Sequence, residues 1–344
     1  MSNATRRPAT GVAVGSLVVV VALAALAVWL LTNPSRPQPP PTIGAGTTPS
    51  AAQPAGTPLV FDRLTGPART VVREGGRVLA VFTDGARTVT LDGPKRTFAE
   101  PAATKAAVHT TTWVRLAPQP WQAGQETAAW FADWFPKARA DTSADVLEVA
   151  TQYVIDAPAD KDGDGVRYRG DASFGPVKAT GAGRKEQSDF FDYLGKPWSF
   201  PDAKGDPDSS RYGAVDCSGF VRLVYGYRMG MPLLGTNDPG PGLPRRAYAI
   251  ADHGPGVELV PNKRARASAY GVLQPGDLVF FEVEDGPETL DHVGIYIGID
   301  DGGHHRFISS RERIDGPTLG DVGGTSLLDD GGHYSTAWRA ARRL

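Results

Sequence analysis

The sequence predicts an α+β protein: a C-terminal domain of mixed helices and strands, preceded by a small β-rich module and an N-terminal transmembrane helix. Three observations carry this expectation. Residues 11–31, GVAVGSLVVVVALAALAVWLL, contain no charge. Residues 68–93 alternate apolar and polar positions between Gly-Gly and Asp-Gly pairs, the pattern of hairpins. Residues 214–233 then change to helical spacing, and residues 274–300 return to strand spacing.

The chain has 344 residues, with 36 basic and 38 acidic side chains and a formal charge of −2. That balance argues against nucleic acid as the main partner. Hydrophobic residues at 41% and seven tryptophans supply a packed core, which excludes wholesale disorder. The single cysteine, Cys217, excludes an intramolecular disulfide and any cysteine-based structural zinc cluster.

About 20 apolar residues span a bilayer, whereas the apolar part of a cleavable signal runs to about 15. The run 11–31 therefore reads as a membrane anchor, with a long signal cut near Ala22–Ala24 as the alternative. Arg6 and Arg7 precede it, so the positive-inside rule keeps the N-terminus cytoplasmic and exports everything after Asn33. Residues 33–57 are rich in Pro, Ser, Thr, Ala and Gly and read as a linker. The expected organisation is 1–32 cytoplasmic stub and anchor, 33–57 linker, 58–140 β-rich module with an aromatic helix, and 141–344 catalytic domain.

Within the module, TTWVRLAP (111–118) adds a strand, and Trp130, Phe131 and Trp134 at helical spacing predict a helix packing aromatics into a core. Val146, Val149, Ala150 and Tyr153 predict another helix, capped by Thr142 or Ser143. Asp160, Asp162, Asp164, Gly165 and Asp171 match part of a calcium loop, but ASFGP breaks any outgoing helix. A solvated Asp-Gly turn is the favoured reading, and no metal or other cofactor is expected.

Phe220, Leu223, Val224 and Tyr227 form one helical face, with Asp216 as its N-cap. Cys217 then sits in the first turn, where the positive dipole end favours a nucleophilic thiolate. In HVGIYIG, His292, Gly294, Tyr296 and Gly298 share one strand face, and the glycines leave room beside the imidazole for another group.

The ordered set DCSGF, GDLVFF and DHVGIYIG, with LGKPWSF (194–200) upstream and LPRRAYAIAD (243–252) between, resembles the NlpC/P60 family of cell-wall cysteine peptidases. The resemblance covers roughly residues 143–344. It implies a papain-like fold, with a catalytic helix packed on a small antiparallel sheet. It makes Cys217 the nucleophile and His292 the general base. Asp216, Ser218 and Trp198 become candidate substrate contacts. Trp198 stands where the family commonly has a tyrosine whose hydroxyl faces the site. The family's third residue, a His, Asn or Gln, falls on HHRFISSR, where Ser309 is the candidate orienter. His304 and His305 read as turn residues. The resemblance further implies peptidoglycan as the partner and a stem-peptide bond as the target. An amidase or acyltransferase, and a catalytically silent wall-binding module, stay open as alternatives.

Overall fold

The computed structural model describes residues 58–344, apart from 182 and 285–289. The expected membrane helix and linker lie outside these residues. Among the described residues no helix is long and apolar enough to cross a membrane.

Five antiparallel strands come first: β1 (Leu59–Leu64), β2 (Arg69–Glu74), β3 (Arg77–Thr83), β4 (Thr88–Ala99) and β5 (Ala107–Leu116), paired in chain order. Their alternation buries Val72, Ala80, Phe82, Val89 and Leu91 on one face, and a register shift in β3 adds Leu79 to the same core. Helix α1 (Ala129–Ala140) covers that face and adds Phe131 and Phe135, with Trp121 wedged beneath it. The aromatic helix is thus a core element, as its spacing predicts.

Helix α2 (Val146–Thr151) starts at a different cap from the expected one. Asp145, not Thr142 or Ser143, accepts from Glu148 N–H (3.0 Å). The same buried carboxylate accepts from Arg96 Nη1 (2.8 Å) and Val114 N–H (2.6 Å), so strands β4 and β5 select the cap. A two-stranded hairpin follows, β6 (Asp160–Lys161) with β7 (Arg167–Arg169). Its carboxylates serve their own turn: Asp162 Oδ1 accepts from Asp164 and Val166 N–H, and Asp160 from Tyr168 and Arg169.

The remaining elements are α3 (Phe190–Leu194), a short pair β8 (Trp198–Ser199) and β9 (Lys204–Gly205), α4 (Cys217–Val221) and α5 (Ala247–His253). They are followed by β10 (Val257–Val260), β11 (Leu278–Phe281), β12 (His292–Ile299), β13 (His305–Arg311), β14 (Gly316–Thr318), α6 (His333–Ala337) and β15 (Trp338–Arg343). Six strands form one antiparallel sheet in the order β10-β15-β11-β12-β13-β14. Helix α4 runs on into a π-helical segment, Arg222–Arg228, in place of a plain α-helix. Phe220, Leu223 and Val224 are fully buried against Val293, Ile295 and Ile297 of β12, and Tyr227 is half-buried. The opposite sheet face packs Val279, Phe281, Tyr296 and Phe307 against Tyr334 and Trp338.

The β-rich region shares this core. Phe98, Val108 and Val114 belong to the same apolar cluster as the α4 residues. Arg343 joins buried Asp277 (2.7 Å) and also donates to Thr83 Oγ1 (2.6 Å), and Thr88 N–H donates to the Leu344 carbonyl (2.6 Å).

Candidate active site

Asp216 begins α4 in extended backbone and its Oδ1 accepts from Gly219 N–H (2.7 Å). Gly219 has to be glycine. A β-carbon there would stand 2.3 Å from the Ser188 carbonyl oxygen of the segment packed across the helix start. Arg245 Nη2 donates to Asp216 Oδ2 (2.7 Å) and Nη1 to Ser218 Oγ (2.8 Å). Burial pushes the Asp216 carboxyl up, but Arg245 and the Gly219 amide outweigh it and hold it below the ordinary carboxylate range. Asp216 and Ser218 are therefore tied to the frame that aims Cys217, although both also line the cavity described below.

One hydrogen bond fixes the helix start to the sheet. Ser310 Oγ, buried on β13, donates to the Val215 carbonyl (2.6 Å). Its neighbour Ser309 Oγ lies 3.1 Å from His292 Nε2. Adjacent residues of β13 thus locate the candidate nucleophile and the candidate base relative to each other. Cys217 Sγ donates to the main-chain oxygen of Asp291 (3.7 Å), next in sequence to His292.

Cys217, His292, Glu186, Arg246, Tyr248 and Tyr334 are among the residues lining one cavity of about 570 Å³. Its walls carry both signs of charge, since Glu284, Glu312, Arg311 and Arg313 also reach it. The Tyr334 ring lies 5.3 Å from the imidazole, and the Arg311 guanidinium sits 4.3 Å from the Tyr334 centroid.

The electrostatics depart from the expected thiolate. Burial, with Asp216 and Glu186 close by, pushes the Cys217 thiol well above its ordinary value. Burial and the Arg311 charge push His292 down to about 3. Both shifts favour the neutral forms, because desolvation of the two buried groups outweighs the helix dipole. Gly294 departs as well. Phe307 fills the space beside it, 2.6 Å from where a β-carbon would stand, so that glycine makes room for the core and not for a group approaching the imidazole.

Ser309 Oγ accepts from Arg311 Nε (3.1 Å), a partner the sequence reading missed. Strand alternation places residues 309 and 311 on one face, so the signal was present in FISSR. With one lone pair so occupied, the hydroxyl has one proton and one lone pair left for Nε2. A neutral imidazole can take either; a protonated one requires Ser309 to accept. Trp198 is not among the residues lining the cavity. It packs edge-on against Phe190 (5.1 Å) and Tyr227 (5.9 Å). His305 is half-buried, stacked on Tyr270 and bonded to Tyr296 Oη (2.8 Å), and His304 faces Asp329.

The family model described as NlpC/P60 family matches residues 195–318, a span that holds Cys217, His292, Ser309 and the strands between them. The chain carries an NlpC/P60 domain. A crystal structure of an NlpC/P60 family protein from Bacillus cereus is similar at 26% identity, over 38% of this chain and 32% of that one, with a TM-score of 0.24. The chain thus spans about a third of that protein's length. No curated protein matches the chain. The match likens residues 195–318 to a family of cell-wall hydrolases, generally cysteine peptidases or amidases. Residues 58–194 and 319–344, including Glu186 and Tyr334 of the cavity wall, lie beyond the matched span.

Proposed function

We propose that this protein is an exported thiol hydrolase that cleaves peptide bonds in peptidoglycan stem peptides, held at the outer face of the membrane by residues 11–31. The observation that carries the reading is the convergence of Cys217 and His292 on one cavity, with Ser309 behind the imidazole. Cavity walls of both charge signs suit a stem peptide, which presents carboxylates and an amine together.

The neutral resting pair sets the order of events. Cys217 Sγ attacks the scissile carbonyl carbon as its proton passes to His292, so ion-pair formation accompanies attack instead of preceding it. The main-chain N–H of Cys217 serves the oxyanion, because the Gly219 N–H is already taken by Asp216. Protonated His292 gives its proton to the leaving amine, the C–N bond breaks, and a thioester remains. Water, deprotonated by His292, then hydrolyses the thioester and restores the thiol. Ser309 accepts from Nε2–H while the imidazole is charged.

A second reading has one observation in its favour. Buried Arg311, bonded to the orienting serine, opposes a charged imidazole, which suits a catalytically silent wall-binding module. Digestion of purified peptidoglycan, with products identified by mass, separates the two. Wild type releases stem-peptide fragments and Cys217→Ser, folded by circular dichroism, releases none. Equal yields from both overturn the hydrolase reading, and bound but uncut peptidoglycan favours the silent module.

A further inference from the structure

The N-terminal sheet reaches the imidazole through one carboxylate. Glu100 directly follows β4 and is 3% exposed. Its Oε2 accepts from Thr318 Oγ1 (2.7 Å) and from Leu319 N–H (2.9 Å). Thr318 Oγ1 accepts from Gly320 N–H (2.8 Å), and the Gly320 carbonyl accepts from Ser326 Oγ (2.6 Å). Ser326 Oγ accepts from Arg311 Nη2, while Arg311 Nε donates to Ser309 Oγ (3.1 Å). Between Arg311 and Glu100 every donor points the same way, from a buried guanidinium to a buried carboxylate, and the two peptide groups flanking the Gly320 Cα join the Ser326 end to the Thr318 end mechanically. Thr318 also pairs directly with Ser309 across β13 and β14. Chain and sheet together close a ring around the hydroxyl that touches His292 Nε2.

The loop after β4 docks beside this ring. Asp321 N–H donates to the Ala103 carbonyl (3.1 Å), and Thr104 Oγ1 to Asp321 Oδ2 (2.5 Å). Arg311 donates to three neutral oxygens, those of Ser309, Gly324 and Ser326, so its place is set by this hydrogen-bonded chain and not by a directly bonded carboxylate. Both bonds to the carboxylate fall on Oε2, so loss of that acceptor leaves the Thr318 hydroxyl and the Leu319 N–H unpaired in a buried place.

We propose that Glu100 is a positioning residue for His292: by anchoring the far end of this chain, it holds Arg311 and Ser309 in the arrangement that fixes the imidazole in a single tautomer. The N-terminal sheet is then part of the catalytic apparatus and not a separate appendage. The effect on reaction rate rests on the proposed hydrolase; the effect on the imidazole does not.

The test uses the full chain, 15N-labelled at histidine, with the His292 ring resonances identified by their loss in His292→Gln. At pH 7.5 the wild type shows one tautomer, with widely separated Nδ1 and Nε2 shifts. Glu100→Ala removes the acceptor, and the two shifts move toward an averaged value. Glu100→Gln keeps an acceptor oxygen and restores the wild-type pattern. Thr318→Val cuts the same chain from the other side, and carries the test should Glu100→Ala fail to fold. On peptidoglycan, Glu100→Ala lowers kcat about tenfold with KM unchanged, as expected of lost orientation, and Glu100→Gln recovers to within about twofold. Unchanged His292 shifts in a folded Glu100→Ala or Thr318→Val protein overturn the proposal, as does a rise in KM alone. If the tautomer result holds while wild type releases nothing from peptidoglycan, the positioning role stands and the hydrolase reading falls.

Discussion

Acid should destabilise this protein through His292 in particular, and the size of the effect follows from its surroundings. The imidazole is 7% exposed and faces Arg311, so its affinity for a proton drops from the ordinary 6.5 to about 3 on folding. Above pH 6.5 neither folded nor unfolded chain binds the proton, and His292 contributes no pH dependence. As pH falls below 6.5 only the unfolded chain gains the proton, so stability is lost steadily until about pH 3. At about 1.36 kcal/mol per unit, the loss is about 0.8 kcal/mol at pH 6 and about 2 kcal/mol at pH 5. Buried carboxyls raised on folding, such as Glu100, Glu186 and Asp291, act in the opposite sense as pH falls. A wild-type titration alone therefore mixes signs. The assay is urea unfolding at 25 °C for wild type and His292→Gln at pH 7, 6 and 5. The variant keeps a group able to bond Ser309 and removes the titration. The stability difference, variant minus wild type, should grow by about 2 kcal/mol from pH 7 to 5. A difference constant across that range would mean that the imidazole is not held neutral by its surroundings.

Three further outcomes follow from named contacts. Alkylation of Cys217 by iodoacetamide at pH 6–7 should be slow in wild type and change less than about twofold in His292→Gln, because a neutral imidazole does not stabilise a thiolate; a large drop in rate would restore the ion-pair picture. Gly294→Ala places a β-carbon 2.6 Å from the Phe307 ring and 2.9 Å from the Ile308 carbonyl, and urea unfolding should show a loss of about 1–3 kcal/mol. Arg343→Met strands the buried Asp277 carboxylate and also frees Thr83 of its partner. A loss of about 3–5 kcal/mol is expected, and one below about 1 kcal/mol would show that the two sheets do not depend on this pair.

Much of the fold was legible because its signals are local. Alternation between Asp-Gly turns marks the N-terminal hairpins, and Phe220, Leu223 and Val224 repeat at helical spacing in one short stretch. The α2 cap was misplaced because Asp145 is chosen by Arg96 and Val114, some 50 and 30 residues upstream, which no window of sequence brings together. The continuation of α4 as a π-helix carried no periodic signature either.

At the site, the sequence alone determined the chemistry available: one thiol at a helix start, one histidine at a strand start, and a serine on the next strand, all carried by short motifs. Tertiary structure decided their state. Burial beside one cavity shifts both groups toward their neutral forms and away from the expected thiolate, since desolvation depends on everything packed around a group and not on its neighbours in sequence. Packing likewise sent Trp198 to an aromatic cluster away from the cavity lining. It also joined Arg311, Thr318 and Glu100 into one hydrogen-bonded chain, although 218 residues separate Glu100 from Thr318. Hydrogen bonding is short-ranged in space and indifferent to distance along the chain, so that link exists only once the two sheets have folded against each other.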